Sequence, residues 1–235
     1  MKTTKIDWCD CTLNPVVGCP NGCPYCYARK INDRFHFVKD WNAPEFFPEK
    51  LEQLNVRTPK SVFMNSMSDF SWWTKEQAYA VCRAITKNPQ HAYIFLTKGF
   101  ESYPYKGLQE MFARRNFDKS GRGRQIIYLG KTITTQKMFD VFEQYDFYSV
   151  EPLLEPIDLS AIKYHLYAKA VIIGAETGNR KGKVVPPREW IDNIVSACNE
   201  RGIAVFMKES LRQIMGADFR QDTLPWDKKE DKNNA

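Results

Sequence analysis

Seven short apolar runs recur along the chain with helix-like stretches between them, and this alternation limits the fold more than any other feature. The runs are Thr12 to Val17, Ser61 to Asn65, Ala92 to Thr97, Ile126 to Leu129, Phe147 to Val150, Ala170 to Gly174 and Ala204 to Met207. Most are rich in Val, Ile, Phe or Tyr and lack the polar alternation of a half-wet strand, so they read as strands covered on both faces of a parallel sheet. Thr74 to Lys87 opens on a Thr cap, keeps Ala78, Val81, Cys82 and Ile85 on one face and stops at Asn88-Pro89. Pro187 to Arg201 carries Trp190, Ile194, Val195 and Cys198 at helical spacing and ends at Gly202. Repeated βα units with right-handed crossovers make an α/β fold.

The ends of the runs choose between an open sheet and a barrel. Asn65-Ser66, Thr97-Lys98, Lys131-Thr132, Glu151, Glu176 and Lys208-Glu209 place polar or charged groups after almost every strand. In a (β/α) barrel these ends converge on one mouth, where such folds put their chemistry. An open sheet would spread them along a line, so the expectation is a partial or closed (β/α) barrel. A chain of 235 residues fits this as one domain over residues 1–224. Residues 225–235 read as a charged tail expected to be disordered, since Asp227 to Ala235 has no apolar anchor.

With 43% hydrophobic and 14% aromatic residues, disorder of the whole chain is excluded. No stretch approaches the ~18–20 apolar residues of a membrane span, and Met1 to Asp10 has no signal-peptide core. The expectation is a cytoplasmic protein without membrane contact. A net charge of +6 leans mildly toward anionic partners.

Five of the seven cysteines, Cys9, Cys11, Cys19, Cys23 and Cys26, fall in the first 26 residues. In a cytosolic chain such clustering favours a metal or redox site over disulfides. Cys19, Cys23 and Cys26 form a Cys-x3-Cys-x2-Cys loop just after the first strand, and Gly18, Pro20, Gly22 and Pro24 let it curl so that its thiolates point inward. Three ligands leave a position open. A structural zinc site would close with a fourth Cys or His, whereas a four-iron cluster on three cysteines keeps one iron available. Cys9 and Cys11 would share a face if extended, and could complete a zinc site, join a second cluster or simply pack. Cys82 and Cys198 sit on helix core faces.

The Cys19-x3-Cys23-x2-Cys26 spacing, with Tyr25 before the third cysteine and Tyr27-Ala28 after it, resembles the motif of the radical S-adenosylmethionine (radical SAM) superfamily. Further segments resemble a phage-associated family of three-cysteine proteins of unassigned role. These are Trp8, Asn14 to Cys19, Asn65 to Asp69, Leu96 to Lys98, Ser149 to Leu154 and Gly174 to Gly178. The similarity runs from Lys5 to about Lys208, although members of that family usually have a longer spacer between the first two cysteines. The resemblance implies a partial (β/α)6-type TIM barrel with the cluster loop after its first strand, a [4Fe–4S] cluster on Cys19, Cys23 and Cys26, and S-adenosyl-L-methionine at the open iron. It also implies reductive cleavage to a 5′-deoxyadenosyl radical that takes hydrogen from a substrate, and an external electron donor such as a flavodoxin or ferredoxin. Where the superfamily places a Gly-Gly-Glu-like element, this chain reads Asn65-Ser66-Met67-Ser68-Asp69. Asn65, Ser66 and Ser68 are therefore the candidates for the methionine end of the cofactor. Ile172-x-Gly174 resembles part of an adenine-contacting element, with Ala170 in place of its leading Gly.

Lys98, Lys131, Glu151, Glu176 and Lys208 complete the candidate cofactor-binding set at the strand ends. Half-buried carboxylates there need a ligand or a partner, so Glu151 and Glu176 either meet ribose hydroxyls or a cation, or pair with Lys98, Lys131 or Lys208. Two basic loops, 113–124 with Arg114, Arg115, Arg122 and Arg124, and 179–183, could track a nucleic-acid backbone or simply be solvated. Two functions stay open: a radical SAM enzyme acting on an unidentified substrate, or a non-catalytic iron–sulfur or zinc protein that binds nucleic acid or a partner chain.

Overall fold

The computed structural model describes residues 1–99, 126–140, 145–164 and 167–227. The basic segment 113–124 and residues 228–235 lie outside them. Strands β1 (Lys2–Thr3), β2 (Cys11–Thr12), β5 (Ser61–Phe63), β6 (Ala92–Thr97), β7 (Ile127–Thr132), β8 (Phe147–Val150), β9 (Ala170–Ile173) and β10 (Ala204–Met207) form one sheet in that spatial order. Every pairing from β2 to β10 is parallel, and β1 adds to β2 antiparallel. The seven parallel strands curl into a half-barrel, the partial TIM-type α/β architecture expected from the alternating runs. A separate two-stranded ribbon pairs β3 (Val16–Val17) with β4 (Glu45–Phe46). Among the described residues no helix is long and apolar enough to cross a membrane.

The run Thr12 to Val17, expected as one strand, is two. Pro15 has no N–H for a ladder. Asn14 spends its side chain on the Ser66 hydroxyl and on the Met67 N–H at 2.9 Å, and the Pro15 carbonyl accepts from Phe47 at 2.7 Å. The chain therefore leaves the main sheet after β2 and enters the ribbon at β3.

Alternation of side chains along the strands sorts the core into two layers. On the convex face, helix α2 (Lys75–Lys87) lays Ala78, Val81, Cys82 and Ile85 on Tyr93, Phe95 and Ile127. Helix α3 (Arg188–Asn199) lays Ile191, Ile194, Ala197 and Cys198 on Val171, Ile173, Val205 and Met207. Thr74 caps α2 through a reciprocal pair with Gln77, 3.3 Å to the Gln77 N–H and 2.9 Å back from the Gln77 side chain, worth about 1 kcal/mol. Helix α1 (Tyr27–Phe35) follows the cysteine loop. It was not expected as a separate element, because the apolar residues that repeat along it, Tyr27, Ile31 and Phe35, face outward.

The concave face is filled by Phe63, Ile94, Tyr128, Phe147, Ile172 and Phe206, with Trp8 and Trp226 packed among them. Gly130 is a glycine because the Phe147 ring crosses it: a Cβ there would fall 2.3 Å from Phe147 Cζ. Trp226 is only 1% exposed, lies 4.8 Å from the Phe147 ring centroid and donates from Nε1 to the Trp8 carbonyl at 2.7 Å. The expected tail beginning at residue 225 is corrected by this: Pro225 to Asp227 belong to the packed body, anchored by the indole. Emptying that site to alanine costs about 3–5 kcal/mol.

Candidate functional site

The cysteine loop leaves β3 at Gly18, whose φ of +114° is a conformation side-chain-bearing residues rarely adopt. A Cβ at Gly18 would stand 2.9 Å from Pro44 Cα and 3.0 Å from the Trp41 carbonyl oxygen. The close approach is used. Gly18 N–H donates to the Met67 carbonyl at 2.9 Å, Cys19 N–H donates to the Trp41 carbonyl at 2.7 Å, and Gly18 bridges Ser68 in parallel. Cys26 then caps α1, its Sγ accepting from the Arg29 N–H at 3.3 Å.

Side chains pin the loop across the C-terminal ends of the strands. Asn21 Nδ2 donates to Asp69 Oδ2 at 3.0 Å while its Oδ1 accepts from Trp72 Nε1 at 2.6 Å. Asp69 is itself a buried hub that accepts from the Thr97 hydroxyl (2.7 Å), the Lys98 N–H (2.8 Å) and Ser71. The Tyr25 hydroxyl lies 3.3 Å from Thr134 Oγ1 beyond β7, and the Tyr27 hydroxyl donates to the Ser66 carbonyl at 3.0 Å. Asn21, Tyr25 and Tyr27 were not singled out as positioning residues in the sequence. Tyr25 and Tyr27 entered there only through the motif resemblance, and Asn21 carried no mark beyond its place between the cysteines.

Cys19 and Cys26 pack against a small apolar cluster of Val17, Ala28, Val38, Trp41 and Met67, and all three loop cysteines are partly buried. None of the seven cysteines is joined in a disulfide. Burial pushes the Cys19 thiol up to about 12, with Asp69, Cys23 and Cys26 adding to the shift and the Asn21 N–H opposing it. Such a thiol stays protonated unless a cation neutralises it, which is the service a metal centre performs. Among the described residues no three His, Cys, Asp or Glu side chains are gathered as a metal-ligand set. The donor chemistry fits a thiolate-held centre, and the pinned loop supplies its place.

Cys9 and Cys11 do not pair. Cys11 is buried in the layer beneath α2, with Sγ 3.8 Å from the Ser61 carbonyl, and Cys9 packs against the concave cluster.

The family described as "Protein of unknown function (DUF5131)" matches residues 3–222. The chain belongs to DUF5131. Comparison with curated proteins and with solved structures finds no match. The DUF5131 span takes in the whole half-barrel, the cysteine loop and every side chain that pins it.

Of the remaining candidates in this DUF5131 chain, some meet at the mouth and some do not. Lys208 Nζ donates to Glu151 Oε1, both side chains partly exposed. The pair spans β9 above Gly174, where a Cβ would lie 3.1 Å from Glu151 Cγ and 3.1 Å from Lys208 Cδ. Lys98 Nζ is 5.9 Å from the Tyr25 ring centroid, under the loop. Glu176 is turned toward its own loop instead. Arg180 grips it through two bonds of 2.6 and 2.7 Å, and this ion pair, opposed by burial, holds the carboxyl below the usual carboxylate range.

Asn65 is a structural clamp, with Nδ2 on the Leu96 carbonyl at 2.6 Å and Oδ1 on the Leu96 N–H at 3.0 Å. Ser66 and Ser68 stand beside the loop, Ser66 bonded to Asn14 and Ser68 to Trp73 Nε1 at 3.0 Å. Lys131 does not join the mouth. It is fully buried on the convex face, where strand alternation puts it with Leu129 and register puts it opposite Tyr148, and its Nζ lies 5.8 Å from the Tyr145 ring.

Proposed function

We propose that the chain is a radical SAM iron–sulfur enzyme that cleaves S-adenosyl-L-methionine reductively and abstracts hydrogen from a substrate still to be identified. The observation that carries this reading is the placement of a three-cysteine loop over the C-terminal ends of a parallel half-barrel, pinned there at Asp69, Ser66 and Thr134. Cys19, Cys23 and Cys26 would hold a [4Fe–4S] cluster. When bound, such a cluster supplies one electron and, with only three thiolates, an iron open to the amino and carboxylate groups of the cofactor.

The chain's own residues do the rest. Asn21, Tyr25 and Tyr27 fix the loop above the mouth, so the ligand thiols are held against the strand ends and not in solvent. Glu151 and Lys208 offer a carboxylate and an ammonium that already face one another, and a zwitterionic methionine or a ribose diol can exchange with that pair at little desolvation cost. Ser66 and Ser68 offer hydroxyls beside the loop, and Lys98 a cation under it. Asn65 acts by holding β5 to β6. Glu176 acts by ordering the loop it shares with Arg180. The electron comes from an external donor of the flavodoxin or ferredoxin kind.

The test is anaerobic reconstitution with iron and sulfide, reduction with dithionite and addition of S-adenosyl-L-methionine. The expected product is 5′-deoxyadenosine, formed slowly without substrate and absent from a Cys23→Ala variant. Stoichiometric zinc with no iron would instead favour the non-catalytic reading.

A further inference from the structure

The outward face of α1 presents apolar side chains to solvent. Ile31, Phe35 and Phe37 are 37%, 57% and 51% exposed. The Phe35 and Phe37 rings lie 5.9 Å apart at an interplanar angle of 31°, with the Arg34 guanidinium 5.0 Å from the Phe35 centroid. The pairing is built. His36 ends the helix in the left-handed conformation at φ 53°, and the buried Asn32 amide clamps Val38 at both ends, Nδ2 to its carbonyl at 3.1 Å and Oδ1 from its N–H at 3.0 Å. This reversal sets Phe37 beside Phe35 in solvent, where the hydrophobic effect alone would not leave two rings.

Charge follows the rings. Residues 27–40 carry Arg29, Lys30, Arg34 and Lys39 against Asp33 and Asp40. The surface continues into the loop after β9, because Lys30 Nζ lies 4.0 Å from where a Cβ on Gly178 would stand, and Lys181 and Lys183 follow on that loop. Lys30, Arg34, Lys181 and Lys183 make no ion pair among the described residues. A cationic strip beside paired exposed rings suits a polyanion that carries flat aromatic faces, since phosphates take the charge and bases take the rings.

We propose that this face binds single-stranded nucleic acid, with bases stacked on Phe35 and Phe37 and the backbone running toward Lys30, Lys181 and Lys183. An acidic protein surface would use the cations but gain little from two parallel-leaning rings. None of the site's own side chains is among the candidate metal ligands.

The test is fluorescence anisotropy with a labelled 15-nucleotide oligodeoxythymidine strand and the full chain, over a range of salt concentrations. Saturable binding that weakens with salt is expected. Combined Phe35→Ala and Phe37→Ala should raise Kd about tenfold or more with an unchanged circular dichroism spectrum, since both rings are exposed. Combined Lys30→Ala, Lys181→Ala and Lys183→Ala should flatten the slope of log K against log salt by about 2, at ~0.7 per phosphate contact. Absence of saturable binding, wild-type affinity in the double phenylalanine variant, or binding of polyglutamate or phosphatidylserine vesicles in preference to the oligonucleotide would overturn the proposal. Iron content and 5′-deoxyadenosine formation should not change in the phenylalanine variants, so this proposal and the enzymatic one fail separately.

Discussion

Replacing Gly18 by alanine tests whether the cysteine loop is held by the fold or merely hangs from it. Two costs add. The backbone at φ +114° must carry a Cβ, a strain of ~1–3 kcal/mol, and that Cβ meets Pro44 Cα at 2.9 Å and the Trp41 carbonyl at 3.0 Å, backbone atoms that cannot turn aside, for ~1–3 kcal/mol more. Any shift that relieves the clash lengthens the Gly18–Met67 and Cys19–Trp41 bonds, each worth about 1 kcal/mol. The expected loss is about 2–6 kcal/mol, large against the ~5–15 kcal/mol of a typical domain. Gly22→Ala is the control. Its φ is +66°, but the nearest atom to its Cβ would be the Pro20 carbonyl oxygen at 4.0 Å, so only the backbone cost of ~1–2 kcal/mol applies. Urea unfolding followed by circular dichroism reads both, and with m of ~3 kcal/mol/M the Gly18 variant should lose about 0.7–2 M in midpoint. Its iron content after reconstitution should fall with it. A Gly18 variant no less stable than the Gly22 variant, with full iron, would refute the close-approach argument.

Trp226→Ala should cost about 3–5 kcal/mol in the same unfolding assay, and a loss under about 1 kcal/mol would put the indole back in a loose tail. Changing Cys19, Cys23 or Cys26 to Ala should each abolish bound iron, whereas Cys82→Ala, on the buried face of α2, should leave iron content as in the wild type. Glu176 has a folded-state carboxyl held below its unfolded value by Arg180, so its stabilising contribution is complete above the unfolded value of ~4.3 and is lost as pH falls through the lower folded value. Protection factors of amides in the 176–184 loop, corrected for the intrinsic pH dependence of exchange, should therefore fall on acidification below the ordinary carboxylate range, and Glu176→Gln should remove that dependence. A loop equally protected throughout acidification would contradict the ion-pair assignment.

The parallel strands were legible because burial on both faces writes itself as an unbroken apolar run. Ala92 to Thr97, Phe147 to Val150 and Ala204 to Met207 form as read. Side-chain competition with the backbone is harder to read, which is why Asn14 and Pro15 split the first run in two. Lys131 was misplaced by one position of strand parity. Thr132 ends β7, and the residue before it turns outward into the helix layer although its charge suggests the mouth. Glu176 illustrates a different limit: nothing in the sequence distinguishes a carboxylate that waits for a ligand from one that Arg180, four residues on, already holds. The cysteine spacing was the plainest signal of a candidate site, because three thiols within eight residues must share one loop. The groups that pin the loop came from Asp69, Ser66 and Thr134, up to 109 residues away, and only the folded chain shows them.

The reduced, reconstituted protein offers the most direct measurement. Three cysteines leave one iron of a four-iron cluster without a protein thiolate, so saturating S-adenosyl-L-methionine should change that iron's coordination and shift the electron paramagnetic resonance spectrum, in protein holding about four iron per chain. An iron-loaded protein whose spectrum is indifferent to the cofactor, or a chain that takes up zinc and no iron, would contradict the account.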